Sequence, residues 1–332
     1  MQTPDATPLW PRRRAVLAAA GAVLALPARA QVPAFPSRPI RLVVPFPPGG
    51  GTDLLVRLYA QALQDAWGQS VVVDNRSGAG GVIGAQHVQT QPPDGYTLLV
   101  TVSTTHAILP HMQKLPFDPF KDFTAVTLLT RAQSGLFVRA DHPAASFQAF
   151  VAAAKAQPQP TAVGDWGVGS FGHLVAAALG ATLGFQVVPV HYRGAAPIAL
   201  AVLAGEVPAG SADVATLRPH LQAGKLRMLA INGAARHPAL PDVPTYGELG
   251  VADLDPYSWF GVFAPAGTPL PLREKFADVA QQLARSPQAG ARLAELGFIP
   301  VGSSPAAFEA EWRASYTAFG NLVRKTGIRV DG

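Results

Sequence analysis

Residues 41–63 read RLVVPFPPGGGTDLLVRLYAQAL. An apolar, β-branched run passes through prolines and three glycines into Thr52-Asp53, and then into a helix with Leu54, Leu55, Leu58, Ala62 and Leu63 on one stripe. Strand, glycine loop and helix in that order make the repeating unit of an α/β fold. Thr52 reads as the helix N-cap, and Phe46, Gly49 and Gly50 form a loop through which a ligand or a water can approach unpaired N–H groups. There is no GK[ST], so this is not a P-loop. Asp53 suits the helix dipole but repels a bare anion, which disfavours a directly bound phosphate. A carboxylate held by N–H groups through water stays open, as does a tight turn with no ligand.

The same pattern repeats outward. Strands are expected at 40–45, 71–74 and 96–102, with helices over 52–67 and up to about residue 90, and a PPDG turn at 92–95. A second run follows, with strands at 161–164, 185–190 and 225–232 and helices from about residue 146 and over 195–204. Helices at 269–285, 287–296 and 305–325 close the chain. GLFVR near 135 and WFGVF within 257–265 sit at the joins and are read as strands crossing between two α/β units in opposite directions. A ligand of such a body binds between the units, where helix N-termini meet.

Composition narrows the class. A chain of 332 residues, 48% apolar and 14% charged, packs a large core and is not disordered. Without any cysteine it has no disulfide, thiolate metal site or cysteine nucleophile. Arg12, Arg13 and Arg14 precede the apolar run AVLAAAGAVLALP, and Ala28-Arg29-Ala30 supplies a small-residue cleavage signal. Residues 1–30 therefore read as a secretory signal peptide, cut near Ala30, and too short to span a bilayer. Arg13-Arg14-Ala-Val-Leu lacks the Ser/Thr expected before a twin-arginine pair, so both export routes stay open. Removing 1–30 leaves 22 basic and 20 acidic residues, and the net charge falls from +5 to +2. The high pI therefore says little about nucleic acid, no basic run survives in the mature chain, and no nucleic-acid partner is expected.

Other motifs are weaker. Gly78-Ala-Gly80-Gly81-Val-Ile-Gly84 has GxGxxxG spacing, with TLLV rather than an acid further on, and reads as a structural turn. Gly167-Val-Gly169-Ser170 lacks the glycine of GxSxG, since Val168 stands there; Ser170 reads as an N-cap offering its hydroxyl and N–H to a ligand. Its rival reading is the nucleophile of an exported serine esterase. The histidines include no HExxH pair, and His106 and His111 are five apart, poor spacing for a metal. Arg193, between Tyr192 and Gly194, follows a strand end where a guanidinium suits a carboxylate. A plain surface arginine is the alternative. No catalytic set, cofactor or metal site is expected, and the protein is read as a binding protein, not an enzyme.

The chain resembles the Bug family, the periplasmic receptors of tripartite tricarboxylate transporters. The resemblance rests on FPSRPIRLVVPFPPGGGTD, VVVDNRSGAGGVIGA, PPDGYTLL, TTHAILP, FDPFKDF, GVGSFGHL, YRGAAP, GKLRMLA, LPDVPTYGELG and WFGVFAPAGTP, in that order from about residue 35 to 270. It implies a two-lobed, Venus-flytrap α/β protein with a mainly parallel sheet in each lobe. Lobe 1 would be 31–135 plus 258–332 and lobe 2 would be 136–257, joined by two hinge-crossing strands. It implies that the loop 46–53 (Phe46, Gly49, Gly50, Thr52, Asp53) holds one ligand carboxylate through backbone groups and ordered water. Gly167, Gly169, Ser170 and Tyr192, Arg193, Gly194 would grip the other end, and Thr104, Thr105 and His106 would line the cleft. The implied ligand is a di- or tricarboxylate, an acidic amino acid or an aromatic acid. The implied partners are the membrane subunits of such a transporter, or a sensor protein, with the receptor itself a soluble monomer of the bacterial periplasm.

Several positions depart from the family pattern. Leu109 replaces a usual Asn, His191 precedes Tyr192 where Pro is usual, and Ala201 and Pro208 stand where acids are common. Ser211-Ala212 replaces a usual Phe-Asp pair. All of these but Leu109 lie in the second lobe.

Overall fold

The computed structural model describes Gln2 and residues 35–329. The leader read over 1–30, with its arginines and cleavage signal, lies outside the described residues apart from Gln2. The described residues from 38 onward form one compact unit.

Its elements, in chain order, are β1 (Ile40–Val44), α1 (Gly51–Trp67), β2 (Val71–Asn75), α2 (Val82–Gln89), β3 (Thr97–Val102), the single turns α3 (Leu109–Met112) and α4 (Pro119–Asp122), and β4 (Phe123–Ala132). Then come β5 (Ser134–Arg139), α5 (Phe147–Ala156), β6 (Thr161–Asp165), α6 (Phe171–Leu183), β7 (Val187–His191), α7 (Ala195–Ala204), β8 (Ala209–Asp213), α8 (Val214–Gln222) and β9 (Leu226–Ile231). The chain finishes with β10 (Ser258–Pro265), α9 (Leu270–Arg285), α10 (Pro287–Glu295), β11 (Phe298–Pro300) and α11 (Pro305–Thr326). One sheet runs β11-β4-β10-β3-β1-β2 and the other β7-β6-β8-β5-β9, which gives two α/β lobes.

β1–β4 run in one direction and β6–β9 in one direction, as a mainly parallel sheet requires. The ladders themselves are mixed. β10 runs against both of its neighbours, β3 and β4, and β5 runs against β8 and β9. These two are the strands expected at the joins; each begins at the carboxyl edge of its sheet, Ser134 opposite Asp213 and Ser258 opposite Ala132, so it runs against its neighbours.

Sequence reasoning passed over six elements: the single turns α3 and α4, and β4, β8, α8 and β11. β8 is the instructive one. Its residues, AGSAD, carry no β-branched side chain, yet it lies inside the second sheet. A Cβ at Gly210 would lie 2.6 Å from Phe137 Cζ and 2.7 Å from Ile198 Cγ2. Small residues are there to let larger neighbours close over the strand, and tertiary packing overrides propensity.

The register also locates the functional edge. Ala132, the end of β4, pairs with Ser258, and Ser134, the start of β5, pairs with Asp213 at the end of β8. Only Gln133 lies between them. The carboxyl edges of the parallel strands in the two sheets therefore approach each other at the crossing, where ligands of open α/β folds bind.

The core is strongly aromatic. Trp259 and Trp312 are buried, and their indole N–H groups donate to Ser315 Oγ (2.9 Å) and His106 O (3.0 Å). Phe171 of α6 meets Phe319 of α11 edge to face at 5.8 Å, so the C-terminal helix of the first lobe packs on the second.

Candidate functional site

On the first lobe the β1–α1 loop is organised by Asp53. Its Oδ2 accepts from the Gly49 N–H (3.0 Å) and Arg57 Nε (2.9 Å), and its Oδ1 from Asn75 Nδ2 (3.1 Å). Gly49 has φ +83°, a left-handed conformation that glycine adopts without strain. Burial raises the Asp53 pKa, but the hydrogen bonds from Arg57, Gly49 and Asn75 and the Arg57 charge outweigh it and hold the carboxyl below its ordinary value. Thus Asp53 is an internal tie and its charge is already answered.

Thr52 is not the N-cap. That position belongs to Gly50, and no side chain caps it, because the helix begins one residue before Thr52. The first intrahelical bond is from Leu54 N–H to Gly50 O (3.0 Å). The amides of Gly51, Thr52 and Asp53 therefore have no acceptor inside the helix, and they stand in the positive end of its dipole.

Two more loops meet this one. Thr105 Oγ1 donates to Gly80 O (2.9 Å) and accepts from Thr101 Oγ1 (3.0 Å). A Cβ at Gly81 would fall 2.4 Å from Thr105 Oγ1 and 3.4 Å from Phe46 Cζ. Phe46, the glycine loop and Thr105 thus form one packed rim, with Thr104 half-buried beside it.

His106 departs from expectation. It is fully buried, stacked on Phe263 at 4.4 Å and against Phe123 at 4.7 Å, with Phe117 and Trp312 around it. Residues 104–108 form a π-type turn, which directs the imidazole into the aromatic core and away from any cleft surface. Neither ring nitrogen has a hydrogen-bond partner among the described residues, and burial pushes its pKa down to about 3.

On the second lobe Ser170 is the N-cap of α6: its Oγ accepts from His173 N–H at 3.1 Å. The loop uses its own amides internally. Gly167 N–H donates to Asp165 Oδ1 (2.8 Å), Gly169 N–H to His173 Nδ1 (3.1 Å) and Ser170 N–H to Gly167 O (3.1 Å). These three N–H groups already have acceptors, contrary to the expectation that they grip a ligand. His173 turns its Nδ1 to Gly169, so no esterase base is assembled on the Ser170 hydroxyl.

The β7–α7 loop is more open. Tyr192 packs its ring on Gly164, where a Cβ would lie 3.2 Å away, and its N–H donates to Asp165 O (2.8 Å). Arg193 is exposed and has no ion-pair or hydrogen-bond partner among the described residues. Gly194, at φ +109°, precedes the first turn of α7.

Sequence reasoning missed Asp165 and His173 and noted His191 only as a departure. Asp165 and His191 end neighbouring parallel strands in register, and His191 Nδ1 lies 2.8 Å from Asp165 Oδ1. The His173 ring meets His191 edge on at 4.8 Å. The available signal was a polar residue at each of two strand ends beside glycine loops.

Comparison with known proteins decides the family. The model of the tripartite tricarboxylate transporter family receptor matches residues 55–322. Protein BugT of Bordetella pertussis is 32% identical over 298 residues, 89% of this chain and 91% of that protein. The solved structure of R. palustris Rpa4515 with adipate is 33% identical with a TM-score of 0.79, covering 89% of this chain and 99% of that one. MatC (Rpa3494) from Rhodopseudomonas palustris with bound malate is 30% identical with a TM-score of 0.76, covering 87% and 100%. The chain belongs to the tripartite tricarboxylate transporter receptor family.

Within this receptor most of the unusual positions lie away from the loops. Leu109 is buried beneath the glycine loop, where a Cβ at Gly80 would touch its Cδ1 at 2.7 Å. Ala201 and Ala212 are buried in the second core, and Pro208 is exposed between α7 and β8. His191 sits at the end of β7, beside the Tyr192–Gly194 loop.

Proposed function

We propose that this receptor is a periplasmic solute-binding protein that closes two lobes around a small carboxylate. The observation that carries the reading is the N-terminus of α1. Three amides there lack intrahelical acceptors, and the carboxylate of Asp53 in that first turn is tied to Gly49, Arg57 and Asn75. One carboxylate of the ligand docks there, directly or through water, and the unpaired Arg193 takes an anionic group from the other lobe. The adipate and malate in the two related structures support a carboxylate as the ligand class.

The lobes divide as 31–135 with 258–332, and 136–257. The ligand favours the closed arrangement by its contacts to both, and capture is an equilibrium shift without a chemical step. The chain acts after loss of its leader, as a monomer, and hands its ligand to the membrane subunits of a tripartite transporter or to a sensor protein. No helix among the described residues is long and apolar enough to cross a membrane.

A thermal-shift and calorimetric screen of carboxylates against their amides tests this, after partial unfolding and refolding to strip bound solute. A carboxylate at 100 times its dissociation constant adds about 2.7 kcal/mol, a shift of a few degrees in a protein of this size. A response to acids that vanishes in the amides is the expected result. Silence across the acids with a response to sugars, amines or nucleotides overturns it.

A further inference from the structure

At the carboxyl edge of the second sheet, His191, Asp165 and His173 form a cluster that the capture of a carboxylate by backbone amides and Arg193 does not use. Asp165 is fully buried at the end of β6, and its Oδ1 accepts from both the Gly167 N–H and His191 Nδ1, each at 2.8 Å. Its Oδ2 is buried without a hydrogen-bond partner among the described residues, as is Ser211 Oγ. Ser211 follows Gly210, which pairs with Gly164, the residue before Asp165. A buried carboxylate with one oxygen unanswered gains from a cation beside it.

The proton positions follow from the hydrogen bonds. A carboxylate only accepts, so His191 Nδ1 carries the hydrogen that reaches Asp165, and its Nε2 is the nitrogen free to gain one. His173 is the opposite tautomer: its Nδ1 accepts the Gly169 N–H, which leaves its hydrogen on Nε2. Two imidazoles 4.8 Å apart do not both carry charge readily. Burial, with the neighbouring His191 adding to it, lowers the His173 pKa to about 4, so His173 is the one that stays neutral. The His191 side chain is 36% exposed, next to the Tyr192–Gly194 loop.

We propose that His191 receives the anionic end of the ligand as an imidazolium, so that this receptor takes up a proton together with the carboxylate it captures. The inference rests on the carboxylate reading above. It names the residue that sets the receptor's pH response. The groups around His191 are Asp165 on β6 and His173 on α6; Arg193 lies two residues along the loop, and the Glu206 charge bears on Tyr192.

The test is calorimetry of the purified receptor with α,ω-dicarboxylates of three to eight carbons, each beside its monocarboxylate, from pH 6.5 to 8.5. Two buffers of different ionisation enthalpy report protons taken up on binding. Above pH 6.5 these carboxylates are ionised, and histidine is the side chain that changes charge in this range. The expected result is uptake approaching one proton at the alkaline end, with affinity falling by up to about tenfold per pH unit. His191→Asn keeps an N–H for Asp165 but cannot charge, and its affinity should vary by no more than about twofold across the range. Tight binding with no proton uptake in the natural receptor, or the same pH slope in H191N, overturns the proposal and leaves the carboxylate reading intact. No binding by any acid in the series overturns the proposal, and the carboxylate reading falls with it only when tricarboxylates, acidic amino acids and aromatic acids also fail to bind.

Discussion

Gln133 Nε2 donates to Asn232 O at 2.7 Å, so the two chain crossings between the lobes are joined by a hydrogen bond. The same amide reaches Ala235 O (2.8 Å), Asn232 Oδ1 accepts from Ser134 N–H (2.7 Å), and Asn232 Nδ2 donates to Pro256 O (2.8 Å). Gln133 and Asn232 are both almost fully buried. Any rotation of one lobe on the other must turn about this network.

Gln133→Ala removes the donor and leaves the buried Asn232 carbonyl unanswered, along with that of the more exposed Ala235. That should lower stability by about 1–3 kcal/mol, read as the unfolding midpoint in urea. Because the network holds the relative setting of the lobes, ligand affinity should also fall. A variant as stable as the parent would mean that water replaces the amide and the crossing is not held by Gln133.

Asp53→Ala should disorganise the β1–α1 loop, because it releases Gly49 N–H, Arg57 and Asn75 together. The expected cost is about 1–3 kcal/mol, with weaker carboxylate binding even though a negative charge has been removed. If Asp53 instead faced the ligand, its removal would strengthen anion binding. In the parent its lowered pKa means that its contribution is present above the ordinary carboxylate value and is lost as pH falls below it.

The fold was largely legible because its signals are local. Strand, glycine loop and helix recur, and the joins at GLFVR and WFGVF are apolar runs that interrupt the alternation. Ser170 was recognisable as an N-cap from its place between a glycine loop and an apolar helix. What could not be read depended on neighbours distant in sequence. β8 is a strand because Phe137 and Ile198 close over Gly210. His106 resembles a cleft residue until Phe263 and Trp312, more than 150 positions away, are packed on it. The Asp165–His191 pair exists only once β6 and β7 are set in register.

His106 should give the receptor an acid-sensitive core. Its folded pKa of about 3 lies below the ordinary 6.5, so the unfolded chain binds the proton first as pH falls. Stability from this group is complete above about pH 6.5 and drains away down to about pH 3, by several kcal/mol in all. His106→Phe, suited to the aromatic surroundings, should flatten that slope. Thermal unfolding of both proteins from pH 7 to 4 checks it, and parallel curves would show that the imidazole finds a partner at low pH.

Ser170→Ala separates a cap from a nucleophile. Losing the hydroxyl that accepts from His173 N–H should cost about 1 kcal/mol of stability. Neither the parent nor the variant should hydrolyse a chromogenic carboxylate ester. Turnover in the parent that disappears in the variant would make Ser170 a reacting group and the receptor reading incomplete.

Arg193 should behave in the opposite way, mattering to the ligand and not to the fold. It has no partner among the described residues, so Arg193→Ala should leave the unfolding midpoint unchanged. Carboxylate affinity should drop by about ten- to a hundredfold, the usual worth of a hydrogen bond to a charged group. Arg193→Lys should recover part of it, since an ammonium keeps the charge and loses the planar, two-point fit to a carboxylate. Calorimetry on the three proteins decides the matter. Equal affinities would move the second anionic contact to the first turn of α7 or to His191, and Arg193 would be a surface residue.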